Sequence, residues 1–508
     1  MTKTSIAAVL VLLSPLSGVA QQTGVEEAVR TITDDDFAWR VGVIDHDSMQ
    51  GRDTPSQGLD DTAEWIASEF RRMGLRGGAD DGGFIQRYSL NSVVVDRFES
   101  SMSARSVRLA IGTDVLPPRS ETSEGEVTAE LVLMSGSTGI ERLGDEVRGK
   151  HVVFVRLPGD TDLGRALFQL VLNIRSAGAA SVTVTNSEGD DDWVARVARA
   201  MEPAVRKGLG EESGRTGFQP MLQLRTSSLA RLVAGRGIDL RELQRRSESS
   251  VRIDDLGGMR MTLRQRISGE VITAPNVVGI LDGSDPGLSQ EYVVFSGHMD
   301  HVGMGTPDEN GDSIFNGADD NASGTVAVVE ITGAMTSLPV PPRRSMLFLL
   351  VSGEEKGLWG SEWFAENPSV PVDQLAAELN TDMVGRNWSD TIVAIGKEHS
   401  DLGATLNRVN GDHPELRTTA IDDLWPEERF YFRSAHYNFA RKGVPILFFF
   451  NGTHDDYHGR DDETDRIDAE KAARIAKLVF YLGVDIGNAT ERPKWNPESY
   501  ARIVSEQL

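Results

Sequence analysis

Histidine is concentrated in the last two-fifths of this sequence. Of nine histidines only His46 and His151 precede position 298; His298, His301, His399, His413, His436, His454 and His458 follow. The same region holds adjacent acids in two stretches, Asp319 and Asp320 in FNGADDNASGTVAVVE and Glu354 and Glu355 in SGEEKGLWGSEW, together with His298 and Asp300 in HMDHVG and Asp382 in TDMVG. The chain has no cysteine, so a metal site here is built from imidazole and carboxylate alone. Two divalent ions roughly 3.5–4 Å apart bind a hydroxide between them and polarise a scissile carbonyl. A carboxylate beside that water must take its proton and pass it to the leaving group. Adjacent acids can divide ligand and proton-transfer duties, because neighbouring side chains diverge.

Each motif also has a plainer reading. Asp319 and Asp320 sit where a helix starts, and an acid there caps the free N–H groups of the first turn. Paired glutamates occur in solvated loops, and His399 and His413 read as surface or capping residues. His454 and His458 lie four apart, as in a zinc-binding helix, but Asp455 and Asp456 replace the glutamate of such a motif and Gly452 and Gly459 bracket a turn.

What joins the motifs is the set of elements that must position them. EYVVFSG (291–297), SMLFLLVSG (345–353), LAAELN (375–380) and VPILFFF (444–450) are near-continuous apolar runs, the pattern of strands covered on both faces. Amphipathic helical stretches at 323–335 and 468–483 alternate with them. In open α/β sheets, sites form beyond the carboxyl ends of the strands. HMDHVG follows the first run, EEKGLWGSEW the second, TDMVG the third, and NGTHDDYHGRDDET the last. The plainer readings do not predict acids and histidines at successive strand ends together.

The ordered series H-x-D, G-A-D-D-N-A-S-G, E-E-x-G-L-x-G-S, D-M and a final histidine before an acidic D-x-T stretch resembles the dizinc aminopeptidases and their carboxypeptidase and transferrin-receptor relatives. The resemblance implies a mixed, largely parallel central sheet flanked by helices, the phosphorylase/hydrolase-like zinc exopeptidase fold. It implies two Zn2+ per chain, with His298 and Asp382 on one ion, Glu355 and His458 on the other, Asp320 bridging both, and a cis peptide after Asp320. Glu354 is then the general base, and Asp319 caps or supports the loop. Tyr431, in ERFYFRSAH, is a candidate donor to the tetrahedral oxyanion, with core packing as its other reading. Relatives commonly read S-D-H where this chain has Ser434, Ala435 and His436; the missing acid bears on tuning rather than on metal binding. The activity implied is that of a zinc exopeptidase acting on peptides with a free terminus, an aminopeptidase first. A dizinc carboxypeptidase, and a non-catalytic receptor-like or glutaminyl-cyclase-like relative, are the alternatives.

Composition agrees with an enzyme of this kind. With 508 residues the chain exceeds the size at which one core stops growing, so two domains or a large insertion are expected. A formal charge of −25 argues against a nucleic-acid partner, which requires cations to neutralise phosphates. Residues 1–20, with Lys3, the apolar run IAAVLVLL and a small-residue end, read as an export signal, hence a periplasmic or secreted protein without a stable membrane anchor. Oligomeric state is not legible. Residues 21–105 resemble the opening of the peptidase domain, 106–264 an inserted β-rich protease-associated domain, 265–490 the main peptidase part, and 491–508 a tail. Trp425, Phe430, Phe432 and Phe448 to Phe450 are candidates for an apolar pocket or for core. Arg386, Arg429 and Arg433 lie near enough to the motifs to grip a terminal carboxylate.

Overall fold

The computed structural model describes residues 16–118, 123–136, 138, 143–156, 164–186, 190–207, 218–246 and 250–505. Most of the expected export signal lies outside them, and its last residues fall in helix α1 (Leu16–Val29). The chain divides into two compact units, Met1–Tyr88 with Thr273–Leu508, and Ser89–Ile272. The second unit is wider than the 106–264 expected from sequence. The chain changes unit inside two long strands, β1 (Ile85–Val95) and β2 (Ile267–Leu281), so no polar or glycine-rich linker marks the crossings.

The first unit is organised by β1, β2, β3 (Tyr292–His298), β4 (Ser345–Val351), β5 (Leu375–Asp382), β6 (Thr391–Ile395), β7 (Thr419–Ile421) and β8 (Ile446–Phe450). Their spatial order is β7-β6-β8-β5-β3-β4-β2-β1. β4, β3, β5 and β8 are parallel to their neighbours within this group. β2 runs antiparallel to β4, and β6 to β8. The four parallel strands are the four apolar runs of the sequence, and parallel pairing brings all four carboxyl ends to one edge.

Alternation along each strand explains why the runs are continuously apolar. Val293 and Phe295 of β3, Phe348 and Leu350 of β4, Leu379 of β5 and Phe449 of β8 enter one core. Val294, Leu347, Leu349, Val351, Phe448 and Phe450 enter the core on the opposite face. The first core is closed by α2 (Asp34–Ile44), α3 (Gln57–Arg72), α4 (Gly324–Thr336) and α5 (Ala469–Asn488). Phe295 and Phe348 stack there with centroids 5.4 Å apart, a pairing worth about 0.5–1.5 kcal/mol beyond the area each ring buries. α4 is apolar around most of its circumference because it is buried along nearly its whole length. α5 starts where the Asp468 carboxylate accepts the N–H of Lys471 at 3.0 Å.

The second unit holds a mixed eight-stranded sheet in which Gly125–Ser135, His151–Phe154, Ser181–Asn186 and Met221–Arg225 run parallel to one another. It has apolar clusters of its own. Among the described residues, no helix is long and apolar enough to cross a membrane.

Candidate metal centre

The loop after β3 carries the aspartate pair, and its backbone is fixed from three sides. The Asp462 carboxylate accepts the N–H groups of Asp319 (3.0 and 3.1 Å) and Asp320 (3.0 Å). Asp319 turns away from Asp320: its Oδ1 accepts the N–H of Gly385 at 2.6 Å and the Ser323 hydroxyl at 3.0 Å. Asn321, joined to Asp320 by a cis peptide, accepts the N–H groups of Gly324 and Met383 and donates to the Thr381 carbonyl. The loop is thereby tied to the end of β5, where Asp382 stands. Asp319 supports the loop, and Asp320 is left free to face the strand ends.

There the predicted residues converge. His298 Nε2 lies 3.5 Å from Asp320 Oδ1 and 3.4 Å from Asp382 Oδ1. His458 Nε2 lies 3.1 Å from both Asp320 Oδ2 and Glu355 Oε1. The two oxygens of Asp320 thus face two different groups. His301, which the sequence reading left without a role, joins the second: its Nδ1 lies 3.2 Å from Glu355 Oε1 and 3.7 Å from Asp320 Oδ2. One donor atom from each of His301, Asp320, Glu355 and His458 lies within 4.8 Å of the others, as does one from each of His298, Asp320 and Asp382.

The donors are turned inward without protein partners. Both ring nitrogens of His301, Nε2 of His458, Oε1 of Glu355 and Oδ1 of Asp382 are buried and lack hydrogen bonds. Buried polar atoms are ordinarily satisfied, because desolvation without a partner costs about 1–3 kcal/mol each. Each of these four residues offers one such atom to one of the two donor groups that meet at Asp320, and nitrogen and carboxylate oxygen are donor types of a divalent metal site. The atoms facing away from it are held. His298 Nδ1 lies 3.1 Å from the Asp300 carbonyl oxygen. The Asp300 carboxylate accepts the Thr54 hydroxyl (3.0 Å) and the N–H of Glu354 (3.3 Å). Ser434, the serine of the SAH stretch, donates to Asp382 Oδ2 at 3.1 Å, while Ala435 is buried in the apolar core beside it.

Residues 276–483, which contain every one of these donors, match the profile of peptidase family M28. This segment is similar to peptidase family M28. Probable leucine aminopeptidases of Arthroderma benhamiae and Trichophyton verrucosum are each 26% identical over 219 residues, 40% of this chain and 57% of theirs, so the match spans little more than half of those relatives. The aminopeptidase from an Aneurinibacillus species superimposes with a TM-score of 0.52 at 16% identity, covering 92% of this chain and 97% of that one. A zinc aminopeptidase from Bacillus subtilis gives 0.50 at 17%, covering 89% and 94%. At such identity these structures establish the shared mixed α/β fold.

A cavity of about 560 Å³ opens over the donors, lined by His298, Asp320, Glu354, Glu355 and Asp382 and by the apolar Met383, Trp425, Phe430, Phe448 and Phe450. Of the aromatic candidates, Phe432 and Phe449 do not line it: Phe432 packs on Tyr431 and Tyr437, and Phe449 enters the core. Tyr431 does not reach the cavity either. It is buried in the second core with its ring 4.4 Å from that of His399, and the charges acting on its hydroxyl are those of Glu398 and Glu378 rather than of any metal-site acid. Tyr457 occupies the cavity wall instead, stacked on His458 at 4.0 Å. Burial raises its phenol pKa, and the nearby Asp320, Glu355, Asp382 and Glu354 raise it further, so the hydroxyl keeps its proton.

Burial dominates the electrostatics of the acids. It pushes the Glu354 carboxyl well above the usual carboxylate range; His298 opposes this, and Asp382, Glu355 and Asp300 reinforce it. Burial acts in the same sense on Glu355, but the imidazoles of His301 and His458, 3.2 and 3.1 Å from its Oε1, outweigh it and hold that group below its ordinary value. Neighbouring glutamates are therefore driven apart, one toward proton carriage and the other toward permanent charge. The arginines are engaged: Arg386 pairs with Asp456 at 2.6 Å, Arg429 covers the ring of Phe432, and Arg433, on the cavity wall, lies 3.4 Å from Glu428 and over the ring of Phe430.

Proposed function

We propose that this protein is a two-zinc aminopeptidase, releasing residues from the amino terminus of peptides. The observation that carries the reading is the meeting of two donor groups through Asp320, beside the half-buried Glu354, on one cavity at the carboxyl ends of four parallel strands. His298 and Asp382 would hold one ion, Glu355 and His458 the other, and Asp320 both. Two bound ions supply a nucleophilic water at neutral pH and polarise the scissile carbonyl.

The remaining steps belong to the chain's own residues. Glu354, whose elevated pKa suits a group that gains and loses a proton in each turnover, takes the proton of the attacking water and delivers it to the leaving amine. Tyr457, protonated and on the wall, donates to the oxygen that develops negative charge. Asp300 and Ser434 keep His298 and Asp382 in place. The carboxylate-rich side of the cavity favours a terminal ammonium, and Met383, Trp425, Phe430, Phe448 and Phe450 offer an apolar wall to the first side chain. The relatives bearing the name leucine aminopeptidase support that preference.

Arg433 on the same wall is the feature a carboxypeptidase would use, and one short peptide in three forms separates the two readings. N-acetylation should block cleavage and C-amidation should be tolerated; the reverse pattern makes this a carboxypeptidase. The same proposal takes residues 1–20 as an export signal, giving a periplasmic or secreted enzyme, and takes the Ser89–Ile272 unit as a protease-associated domain, supported by its β-rich sheet.

A further inference from the structure

We propose that His301 is a third imidazole ligand of the metal centre, so that the ion beside His458 is held by four protein donors and the ion beside His298 by three. This rests on the two-metal reading above and specifies how unequal the two sites are. His301 is fully buried, and neither of its ring nitrogens has a hydrogen-bond partner. A buried imidazole with both nitrogens idle forfeits its hydration without return. Its Nδ1 points at the same place as the Glu355, Asp320 and His458 donors, and its ring meets that of His458 edge-on with centroids 5.5 Å apart.

The fold makes room for that ring specifically. Gly317 packs against it at φ +61°, and a Cβ there would fall 2.5 Å from two of the imidazole carbons. The fully buried Arg52 anchors the surrounding backbone: its carbonyl accepts the N–H of His301 at 3.3 Å, and its guanidinium donates to the carbonyls of Met299, Asn316 and Gly317. The imidazole is held in place by packing and backbone while its nitrogens are spent on nothing in the protein.

Four protein donors complete a tetrahedral zinc and close it, whereas three leave a position open. His301, Asp320, Glu355 and His458 would therefore hold their ion more tightly than the three donors of the other group hold theirs. His298, Asp320 and Asp382 would leave their ion a position open to water or substrate, on the side where the Asp300 carboxylate accepts the N–H of Glu354.

X-ray absorption at the zinc edge of the full chain loaded with two zinc ions tests this directly. Three imidazoles over two ions give an average of about 1.5 nitrogen-ring ligands per zinc, against about 1.0 for two imidazoles. Calorimetric zinc titration of His301→Asn should show one binding step weakened by more than about 100-fold, beyond the 10–100-fold loss typical of residues that only orient a ligand. Two bound zinc ions with about 1.0 imidazole each, or a variant step weakened less than about tenfold, would overturn the assignment of His301 and leave the two-metal reading standing. A parent chain that binds no zinc would instead overturn the two-metal reading. If the variant does not fold, the absorption measurement on the parent decides alone.

Discussion

Glu378 provides a quantitative test of how the central sheet was built. It lies in β5, four residues before Asp382, with no solvent exposure. Its Oε1 accepts the Ser296 hydroxyl at 2.7 Å, that hydroxyl oxygen accepts from Asn380 Nδ2 at 2.8 Å, and Oε2 has no partner. Burial raises its pKa from 4.5 to about 8, against the opposing Ser296 hydrogen bond. Between those values the unfolded chain gives up the proton and the folded chain keeps it, so stability falls as pH rises, at about 1.4 kcal/mol per pH unit. The contribution is intact below about pH 4.5 and is lost by about pH 8, a total on the order of 5 kcal/mol. Glutamine has the same shape and cannot ionise. The stability advantage of Glu378→Gln over the parent should therefore grow from the acid side to pH 8 and then level off. Denaturant unfolding of parent and variant in parallel at pH 5, 6.5, 8 and 9 reads this as a difference, which cancels the pH dependence of metal binding common to both. A difference that does not change with pH, or one that shrinks as pH rises, would refute the reasoning.

Glu354→Gln should lower kcat by about 10²–10⁴-fold, the usual contribution of a positioned proton carrier, while zinc content by elemental analysis stays at the parent value. Asp320→Asn should instead lose zinc, and exchange of these two phenotypes would mean that the ligand and base roles have been inverted. Arg52 donates to four backbone carbonyls, those of Ile44, Met299, Asn316 and Gly317, at 2.6–2.9 Å. Arg52→Met leaves all four buried acceptors unpaired at about 1–3 kcal/mol each, so thermal unfolding should drop steeply. Arg52→Lys, with fewer donors, should fall between the two.

The parallel strands and the motifs at their ends were legible because a strand buried on both faces is apolar at every position, and the polar residues that follow stand out. The helices read at 323–335 and 468–483 correspond to Gly324–Thr336 and Ala469–Asn488; the second has an apolar periodicity and an Asp468 N-cap as local signals, whereas the first, expected to be amphipathic, is buried nearly all round and starts at Ser323 without a side-chain cap. What escaped the sequence depended on tertiary direction. Phe430 to Phe432 form a single short turn that sends Phe430 to the cavity and Tyr431 into the core, and nothing in ERFYFRSAH distinguishes those neighbours. Tyr457 adjoins a predicted ligand, and that adjacency was its available signal. His301 similarly stands one residue after Asp300, but a reading restricted to the H-x-D spacing passes over it. His399 is buried, its Nδ1 3.0 Å from the Ser499 hydroxyl, where a surface or capping role was expected. His413 is partly exposed and stacks on Tyr481. The edges of the inserted unit fall within continuous strands and carry no compositional mark.

The central claim is that two ions sharing Asp320 are required for hydrolysis. The most direct test is to remove metal from the full chain with a chelator, return zinc in steps, and follow bound zinc by elemental analysis alongside hydrolysis of a panel of aminoacyl amides. Turnover should be negligible in the stripped protein, return with zinc, and saturate at about two ions per chain. Full turnover without metal, or saturation of both binding and activity at one ion per chain, would contradict it.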